Sequence, residues 1–524
     1  MRTLSLDSRG IQSQAGFIAL QGECSHGLDF LESVLEQFAE QPALILMDQA
    51  PSAAQQTQLR EYPWIVWRVV EGLAERLAAL ASWFYDQPSC HIKVVGITGT
   101  NGKTSTAFYT AQLLTALGHT TALMGTLGNG IFKQGHIDSL VSTLNTTPDV
   151  VTVQRLLASF VAQGVDYVVM EVSSHALVLG RVAEVEFEAV ALTQVTRDHL
   201  DFHGSLEHYQ QAKKSLFTDY SARMKVVNAN DSVGQAVIQK IQAKGRCDAL
   251  WRYAIQTRTA QEGLAELSGG APELLCDGLS LTPKGMGLSL QCLGLQAAGE
   301  KSSASVFIPL LGEFNAENVL CAVSIIMGCR RNDEPIETWN KLKACLPQLH
   351  AVEGRMQSIE LPDGCPTVIV DFAHTPDALQ QVLVATKAHL ASSSGGKLWV
   401  IFGCGGDRDQ GKRPLMAQVA ESLADQVMVT SDNPRWEVPE KIIAQIMTGF
   451  KQASRVLVEP NRSQAIEQVL KLAERKDVVL IAGKGHEAYQ DIQGIKEPFQ
   501  DQQIVLNWVH TVERAHQTNG LGEK

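Results

Sequence analysis

The chain has 524 residues, 45% hydrophobic and 19% charged, the balance of an ordinary soluble globular protein with room for about three or four domains. Its formal charge of −12 argues against a broad nucleic-acid surface, and no run of eighteen apolar residues is present to span a bilayer. The ten cysteines are scattered with no C-x-x-C pair, which points to free core thiols, and the first ten residues lack the apolar stretch of a signal peptide, so a cytoplasmic protein is expected.

Ala43 to Met47 and Ile65 to Val70 read as short strands, and Glu71 to Tyr85 reads as an amphipathic helix. A break at Asp86 to Ser89 ends this small N-terminal α/β unit near residue 89. From Lys93 onward, buried-looking strands at Lys93 to Ile97, Tyr167 to Val172, Ala189 to Thr193 and Val226 to Asn228 alternate with helices, which implies a parallel sheet covered on both faces. Residues 250 to 310 turn glycine-rich with alternating runs such as Gly287 to Leu293, the pattern of an antiparallel edge or small subsidiary antiparallel sheet on the central domain. A helix from about Ala316 to Met327 and an irregular helical stretch to Cys345 follow, and Pro347 with Gly354 marks a boundary. Strands at Thr367 to Val370, Leu398 to Phe402, Val427 to Thr430 and Val478 to Ile481 then describe a doubly wound domain, with a frayed end from about Gln517. The expected organisation is α/β in three domains, 1–89, 90–348 and 349–524.

Val94 to Ser105 runs from a β-branched strand through a glycine-rich turn into a helix. Gly96, Gly99 and Gly102 are expected to let the backbone approach phosphate oxygens, with N–H groups and the helix N-terminus pointing positive charge at them. Lys103 can pair with the β- and γ-phosphates and Thr104 can hold magnesium. Ile97 stands where the usual phosphate loop has its first glycine.

Other polar clusters also close strands. At Met170 to His175, Glu171 is a natural magnesium ligand, although the same residues would equally serve as an N-cap cluster. Thr193 to His203 carries His199 and His203 four residues apart, without the cysteines or H-E-x-x-H frame of a zinc site; one histidine beside a carboxylate-bound magnesium and one structural histidine is the better reading. Further along, Asp371 to Pro376, Phe402 to Pro414, Thr430 to Arg435 and Ile481 to Glu487 place four polar loops on one sheet edge, the arrangement of a binding cleft. Arg408, Lys412 and Arg413 supply positive charge to it, and the alternative is a solvated basic turn.

Taken in order, Thr98 to Thr104, Glu171 to His175, Asp198 with His199, Gly312 to Asn318, Asp371 to His374 and Asp432 to Arg435 resemble the Mur ligase family across nearly the whole chain. The family's own phosphate loop, T-G-T-N-G-K-[ST], accounts for Ile97. The resemblance is closest to the branch that adds the third residue of the peptidoglycan stem peptide. It implies ATP-dependent amide formation on UDP-N-acetylmuramoyl-L-alanyl-D-glutamate through an acyl phosphate, with magnesium as cofactor, in a monomer without a membrane span or nucleic-acid partner. By that resemblance Gly99, Thr100, Asn101, Gly102, Lys103, Thr104 and Ser105 bind ATP phosphates, and Asn315, Arg355, Asp371 and His374 contact adenine and ribose. Thr104 and Glu171 hold one magnesium; His199 and a carbon dioxide-derived carbamate on Lys213 serve a second. Lys103, Glu171, His199 and Lys213 are the catalytic set. Ser8, Thr146, Thr147, Ser173 and Arg181 match positions for the UDP substrate, with Asp7 and Arg9 flanking Ser8 in the uridine-site pattern. Arg408, Asp432, Asn433, Pro434, Arg435, Gly483 and Glu487 match contacts to meso-diaminopimelate, and Arg435 separates that branch from lysine-adding members. The competing readings are a lysine-adding or folylpolyglutamate-type ligase, a P-loop regulatory ATPase, and a silent paralogue kept as a binding module.

Overall fold

The computed structural model describes residues 3–519, apart from 10, 12–14, 23–24, 39–40, 134, 142–144, 246–248, 257–269, 299–302, 332–333 and 392–394. The chain divides into two compact units: Met1–Ala254 with Gly263–Leu274 and Cys321–Trp339, and Ile255–Glu262 with Leu275–Leu320 and Asn340–Lys524.

The first unit opens with a four-stranded parallel sheet, β1 (Thr3–Ser5), β2 (Ala15–Ala19), β3 (Ala43–Met47) and β4 (Ile65–Val69), in that spatial order. β2 is wholly buried, whereas β4 lies at the edge and leaves Val66 and Val69 exposed. The helix Leu73–Phe84 turns Leu77 and Ala81, four residues apart, inward to pack with Leu4, Ile18, Val150 and Val151.

The remaining strands of this unit are β5 (Lys93–Thr98), β6 (Thr121–Gly125), β7 (Gly128–Lys133), β8 (His136–Val141), β9 (Tyr167–Glu171), β10 (Phe187–Leu192), β11 (Ala222–Asn228) and β12 (Leu250–Ile255). They lie in the order β12-β11-β10-β5-β9-β6-β7-β8, parallel from β12 to β6 and antiparallel through β7 and β8. The apolar run of β5 is buried from Val94 to Thr98, as a central parallel strand requires. Gly96 corrects the expectation of a phosphate glycine. It lies inside β5, where a Cβ would come within 2.7 Å of the Phe187 ring, so the missing side chain serves packing.

In the second unit, β13 (Leu274–Thr282), β14 (Gly285–Cys292) and β15 (Ser303–Ile308) are neighbours, with β14 and β15 antiparallel. The alternating burial of β14 and its antiparallel pairing bear out the reading for that part of residues 250 to 310, whereas Leu250–Ile255 departs from it as a strand parallel to β11; 257–269 and 299–302 lie outside the described residues. A second sheet, β16 (Gln357–Ile359), β17 (Thr367–Asp371), β18 (Leu398–Phe402), β19 (Gln426–Val429), β20 (Leu457–Val458) and β21 (Val478–Ala482), has the order β16-β17-β21-β18-β19-β20. It is parallel except for the β16–β17 pair. Separate apolar clusters cover its two faces, the doubly wound arrangement expected. A hairpin, β22 (Tyr489–Ile492) and β23 (Ile495–Pro498), turns through Gln493 and Gly494, both at positive φ. The final helix, Asp501–Asn519, stays helical past the expected fraying point at Gln517; residues 520–524 lie outside the described residues.

Candidate active site

In the first unit β5, β9 and β10 are adjacent, and their carboxyl ends bring Thr98 to Thr104, Glu171 to Ser173 and Thr193 together. Gly99 has φ +154°, and a Cβ there would meet Thr193 Oγ1 at 1.8 Å. Thr193 Oγ1 in turn donates to Asn101 O at 2.7 Å, and Thr100 N donates to Gln194 O at 2.7 Å. These bonds fold the glycine-rich turn onto the end of β10. Gly102, at φ +83°, starts the helix Lys103–Ala116, whose first N–H groups have no intrahelical acceptor and are suited to phosphate.

Thr104 Oγ1 donates to Glu171 Oε2 at 2.8 Å, and Thr126 N donates to Glu171 Oε1 at 2.8 Å. Glu171 is only 3% exposed, and Gly125 gives it room, since a Cβ there would stand 2.3 Å from Oε1. A hydroxyl and a carboxylate so placed offer hard oxygen donors of the kind magnesium takes. The capping reading of the same segment holds as well: Ser173 Oγ accepts from Ala176 N at 3.1 Å and caps the helix Ser174–Val178.

The lysines meet at one carbonyl. Lys103 Nζ donates to Gly99 O at 2.9 Å and to Thr100 O at 2.8 Å, while Lys213 Nζ donates to Gly99 O at 2.7 Å. Burial and the neighbouring Lys103 charge hold the Lys213 ammonium well below the usual lysine range, and burial also lowers Lys103. Lys213 is 1% exposed beneath the Tyr209 ring, while Lys214 is half-buried, so the inward-facing lysine of the helix Leu206–Thr218 is Lys213. Tyr209, which sequence reasoning passed over, also anchors the phosphate loop through a 2.8 Å bond between its hydroxyl and Thr100 Oγ1. Thr126 was missed too; neither residue falls in a phosphate-loop pattern, and only the fold brings them near.

His199 sits at φ +49° with its side chain half exposed, 3.5 Å from Asp198 Oδ2. Its ring lies 4.9 Å from that of His175, and His203 Nε2 bonds Ser174 Oγ at 3.0 Å. Burial and neighbouring positive groups lower both His175 and His203. Among the described residues no three His, Cys, Asp or Glu side chains gather as a ready metal site. Thr147 Oγ1 donates to Glu171 O at 2.8 Å, Arg181 Nη1 donates to Thr147 O at 3.0 Å, and Thr126 Oγ1 donates to Thr146 Oγ1 at 3.3 Å. Four of the expected UDP-substrate residues are thus grouped beside Glu171. In the N-terminal sheet region, Ser8 O accepts from Gln37 Nε2 at 2.6 Å, and exposed Arg9 pairs with Asp7.

In the second unit Asp371, 6% exposed, accepts from Met356 N and Ala373 N, each at 2.7 Å. Burial raises its pKa against the lowering effect of those bonds. The Arg355 guanidinium lies over the Phe372 ring at 5.4 Å, and the rings of His374 and His486 also approach Phe372. Asn315 Nδ2 donates to Leu311 O at 2.7 Å and its Oδ1 accepts from Asn318.

The four polar loops end β17, β18, β19 and β21, as expected. Asn433 Nδ2 donates to Glu487 Oε2 at 2.7 Å. Gly483 is at φ +119°, where a Cβ would meet Asp432 Oδ2 at 2.6 Å. Asp432 Oδ1 accepts from Asn433 N, and Pro434 O crowds Gly406. Arg435 has φ +50°, and its Nη1 donates to Gly406 O at 2.8 Å with Nε 3.9 Å from Asp491 Oδ2. The hairpin imposes that backbone: Arg435 N donates to Asp491 O at 2.9 Å and Gln493 N donates to Arg435 O at 2.7 Å. Arg408 is exposed on the loop after β18. Two basic residues of that loop depart from the expectation of open anion ligands. Arg413 is wholly buried and paired with Glu437 at 2.8 Å, and Lys412 Nζ donates to His374 O at 2.8 Å. The helix Lys412–Leu423 turns Arg413 inward, which its sequence context could not show.

A glycine-rich turn at a helix N-terminus beside a buried carboxylate, together with a doubly wound domain whose polar loops share one sheet edge, is the makeup of a nucleotide-dependent group-transfer enzyme. The Mur ligase middle domain matches residues 97–326, and the Mur ligase glutamate ligase domain matches residues 354–485. The chain is 38% identical over 512 residues, 97% of its length and 96% of the relative's, to the UDP-N-acetylmuramoyl-L-alanyl-D-glutamate--2,6-diaminopimelate ligase of Haemophilus influenzae strain PittGG. It is 39% identical over 501 residues to the enzyme of the same name from Pseudomonas aeruginosa, covering 96% of this chain and 93% of that one. A solved structure of a UDP-N-acetylmuramoyl-L-alanyl-D-glutamate--2,6-diaminopimelate ligase superposes with a TM-score of 0.67 at 31% identity, covering 98% of this chain and 95% of the other. The chain belongs to the Mur ligase family. No helix among the described residues is long and apolar enough to cross a membrane.

Proposed function

We propose that this chain joins meso-2,6-diaminopimelate to the D-glutamate γ-carboxylate of UDP-N-acetylmuramoyl-L-alanyl-D-glutamate at the expense of ATP; the names of its relatives pair that UDP-dipeptide with 2,6-diaminopimelate in a ligase. The observation that carries the choice of amino acid is the placing of a guanidinium and a carboxylate on either side of Asn433, whose Nδ2 donates to Glu487 Oε2 while Arg435, two residues on, is held through Nη1 on Gly406 O. The far end of diaminopimelate bears a carboxylate and an ammonium on one carbon. A guanidinium and a carboxylate on neighbouring loops suit that zwitterion, whereas lysine has no distal carboxylate for Arg435. Arg408, Asp432, Pro434 and Gly483 complete this proposed subsite.

A carboxylate resists attack by an amine because oxide is a very poor leaving group. In the proposed reaction a γ-carboxylate oxygen bonds to the γ-phosphorus of ATP and ADP leaves. The diaminopimelate amine then bonds to the acyl carbon, losing a proton as phosphate departs. Residues Gly99 to Ser105 cradle the phosphates, and Lys103, which now donates to two carbonyls, turns to the γ-phosphoryl oxygens as charge builds there. Thr104 and Glu171 would hold magnesium, which when bound would add charge neutralisation at the phosphates. Asn315, Arg355, Asp371 and His374 are assigned to the nucleoside; Ser8, Thr146, Thr147, Ser173 and Arg181 are assigned to the UDP substrate.

Lys213 is proposed to carry a carbamate. Burial and the Lys103 charge lower its basicity, which favours the amine form that would bond the carbon of carbon dioxide with loss of a proton, and the resulting anion, with His199, would serve a second magnesium. The domain boundaries 1–89, 90–348 and 349–524, a cytoplasmic location and a monomeric state belong to the same proposal.

Phosphate release from ATP with the UDP-dipeptide tests the reading, with diaminopimelate, lysine or no amino acid added. Turnover confined to diaminopimelate is expected. Equal turnover with lysine would move the assignment to that branch, and release without any amino acid would favour a regulatory ATPase.

A further inference from the structure

Lys484 is 0% exposed in the loop after β21, and nothing in the reaction above uses it. Its Nζ donates to Asn433 Oδ1 at 2.9 Å and to Glu487 Oε2 at 3.1 Å, with the rings of Tyr489 and Phe499 5.8 and 5.9 Å away. A buried ammonium persists only where it is paired and hydrogen-bonded. Because an ammonium only donates, the Asn433 atom facing it must be the carbonyl oxygen, which also accepts from Asp491 N at 2.9 Å. The amide nitrogen is thereby turned onto Glu487 Oε2. That oxygen receives two donors, while Oε1 of the half-buried Glu487 has no hydrogen-bond partner among the described residues.

We infer that Lys484 is a positioning residue for the amino-acid subsite: it fixes the Asn433 amide and clamps one oxygen of Glu487, leaving the other for the substrate's distal ammonium. The inference rests on the diaminopimelate reading above.

Initial rates of the full-length enzyme test it, using meso-diaminopimelate and 2-aminopimelate, the same chain without the distal ammonium. Lys484→Met removes a charge-assisted clamp and is expected to raise the KM for meso-diaminopimelate about tenfold or more. The KM values for 2-aminopimelate and ATP are expected to stay near wild type. Lys484→Arg keeps donors and should recover part of the loss, and adding Lys484→Met to Glu487→Gln should cost little more than Glu487→Gln alone. An equal rise for both amino acids would reduce Lys484 to a support of the fold and overturn the proposal. If Lys484→Met fails to fold, Lys484→Arg carries the same comparison of the two amino acids. Glu487→Gln separates the two levels: no effect on the meso-diaminopimelate KM overturns the subsite reading itself, whereas an effect there with none in Lys484→Met overturns only the role of Lys484.

Discussion

Replacing Arg435 tests the amino-acid assignment most directly. The guanidinium spends Nη1 on Gly406 O and holds Nε 3.9 Å from Asp491, so its remaining donor edge can meet a substrate carboxylate. A charge-assisted hydrogen bond is worth about 1.5–3 kcal/mol. The side chain is 26% exposed, so screening leaves the pair of bonds together at about 2–4 kcal/mol. That range corresponds to a roughly 30- to 700-fold rise in the KM for diaminopimelate. Removing the guanidinium also leaves the Asp491 carboxylate facing the incoming carboxylate, which favours the upper end. The backbone supplies a control. At φ +50° alanine carries a left-handed strain of roughly 1 kcal/mol that glycine relieves, so Arg435→Gly and Arg435→Ala should differ in thermal stability but share the same KM rise. Arg435→Lys should fall between them and wild type, because an ammonium cannot form the planar fork. Initial-rate phosphate release with each substrate varied in turn gives the numbers. A diaminopimelate KM near wild type in Arg435→Gly, or an equal rise for ATP, would refute the reasoning.

Three further outcomes follow from the same geometry. Glu171→Gln keeps the shape but removes the negative oxygen facing Thr104 and should lower kcat by about 10²-fold or more, with a higher magnesium requirement in a titration; an unchanged magnesium profile would contradict the metal assignment. Lys213 has its folded pKa lowered, so the unfolded chain binds more protons between that value and the usual lysine range, and the penalty shrinks as pH rises. In carbon dioxide-depleted buffer Lys213→Met should therefore melt higher than wild type at neutral pH, with the gap closing toward alkaline pH, yet lose ligase activity; a gap that widens with pH would contradict the sign. Arg462 and Asp501 form a fully buried bidentate pair at 2.7 and 2.8 Å, so Arg462→Met should destabilise by about 3–5 kcal/mol in denaturant unfolding, while Arg462→Met with Asp501→Leu should recover much of it.

Much of the strand and helix alternation was legible because a buried parallel strand needs a continuous apolar run, as in Val94 to Ile97 and Val478 to Ile481. Strands such as Ala15–Ala19 and Thr121–Gly125 were not legible, since alanine, glycine and methionine carry little strand preference and the pairing itself selects them. The hairpin Tyr489–Pro498 escaped for a similar reason: its residues are half-buried or exposed, with no apolar face to announce it.

The sequence by itself determined the phosphate turn, because glycine spacing, Lys103 and Thr104 act locally along one strand and helix. It also determined which polar loops close which strands, since that order follows from chain direction in a parallel sheet. Tertiary structure alone decided what those residues face. Gly96 became a packing glycine under Phe187, Arg413 a buried partner of Glu437, and Lys213 an amine of lowered basicity beside Lys103. Each outcome depends on burial and on neighbours from distant segments, and both are set when the strands pair and the helices cover them.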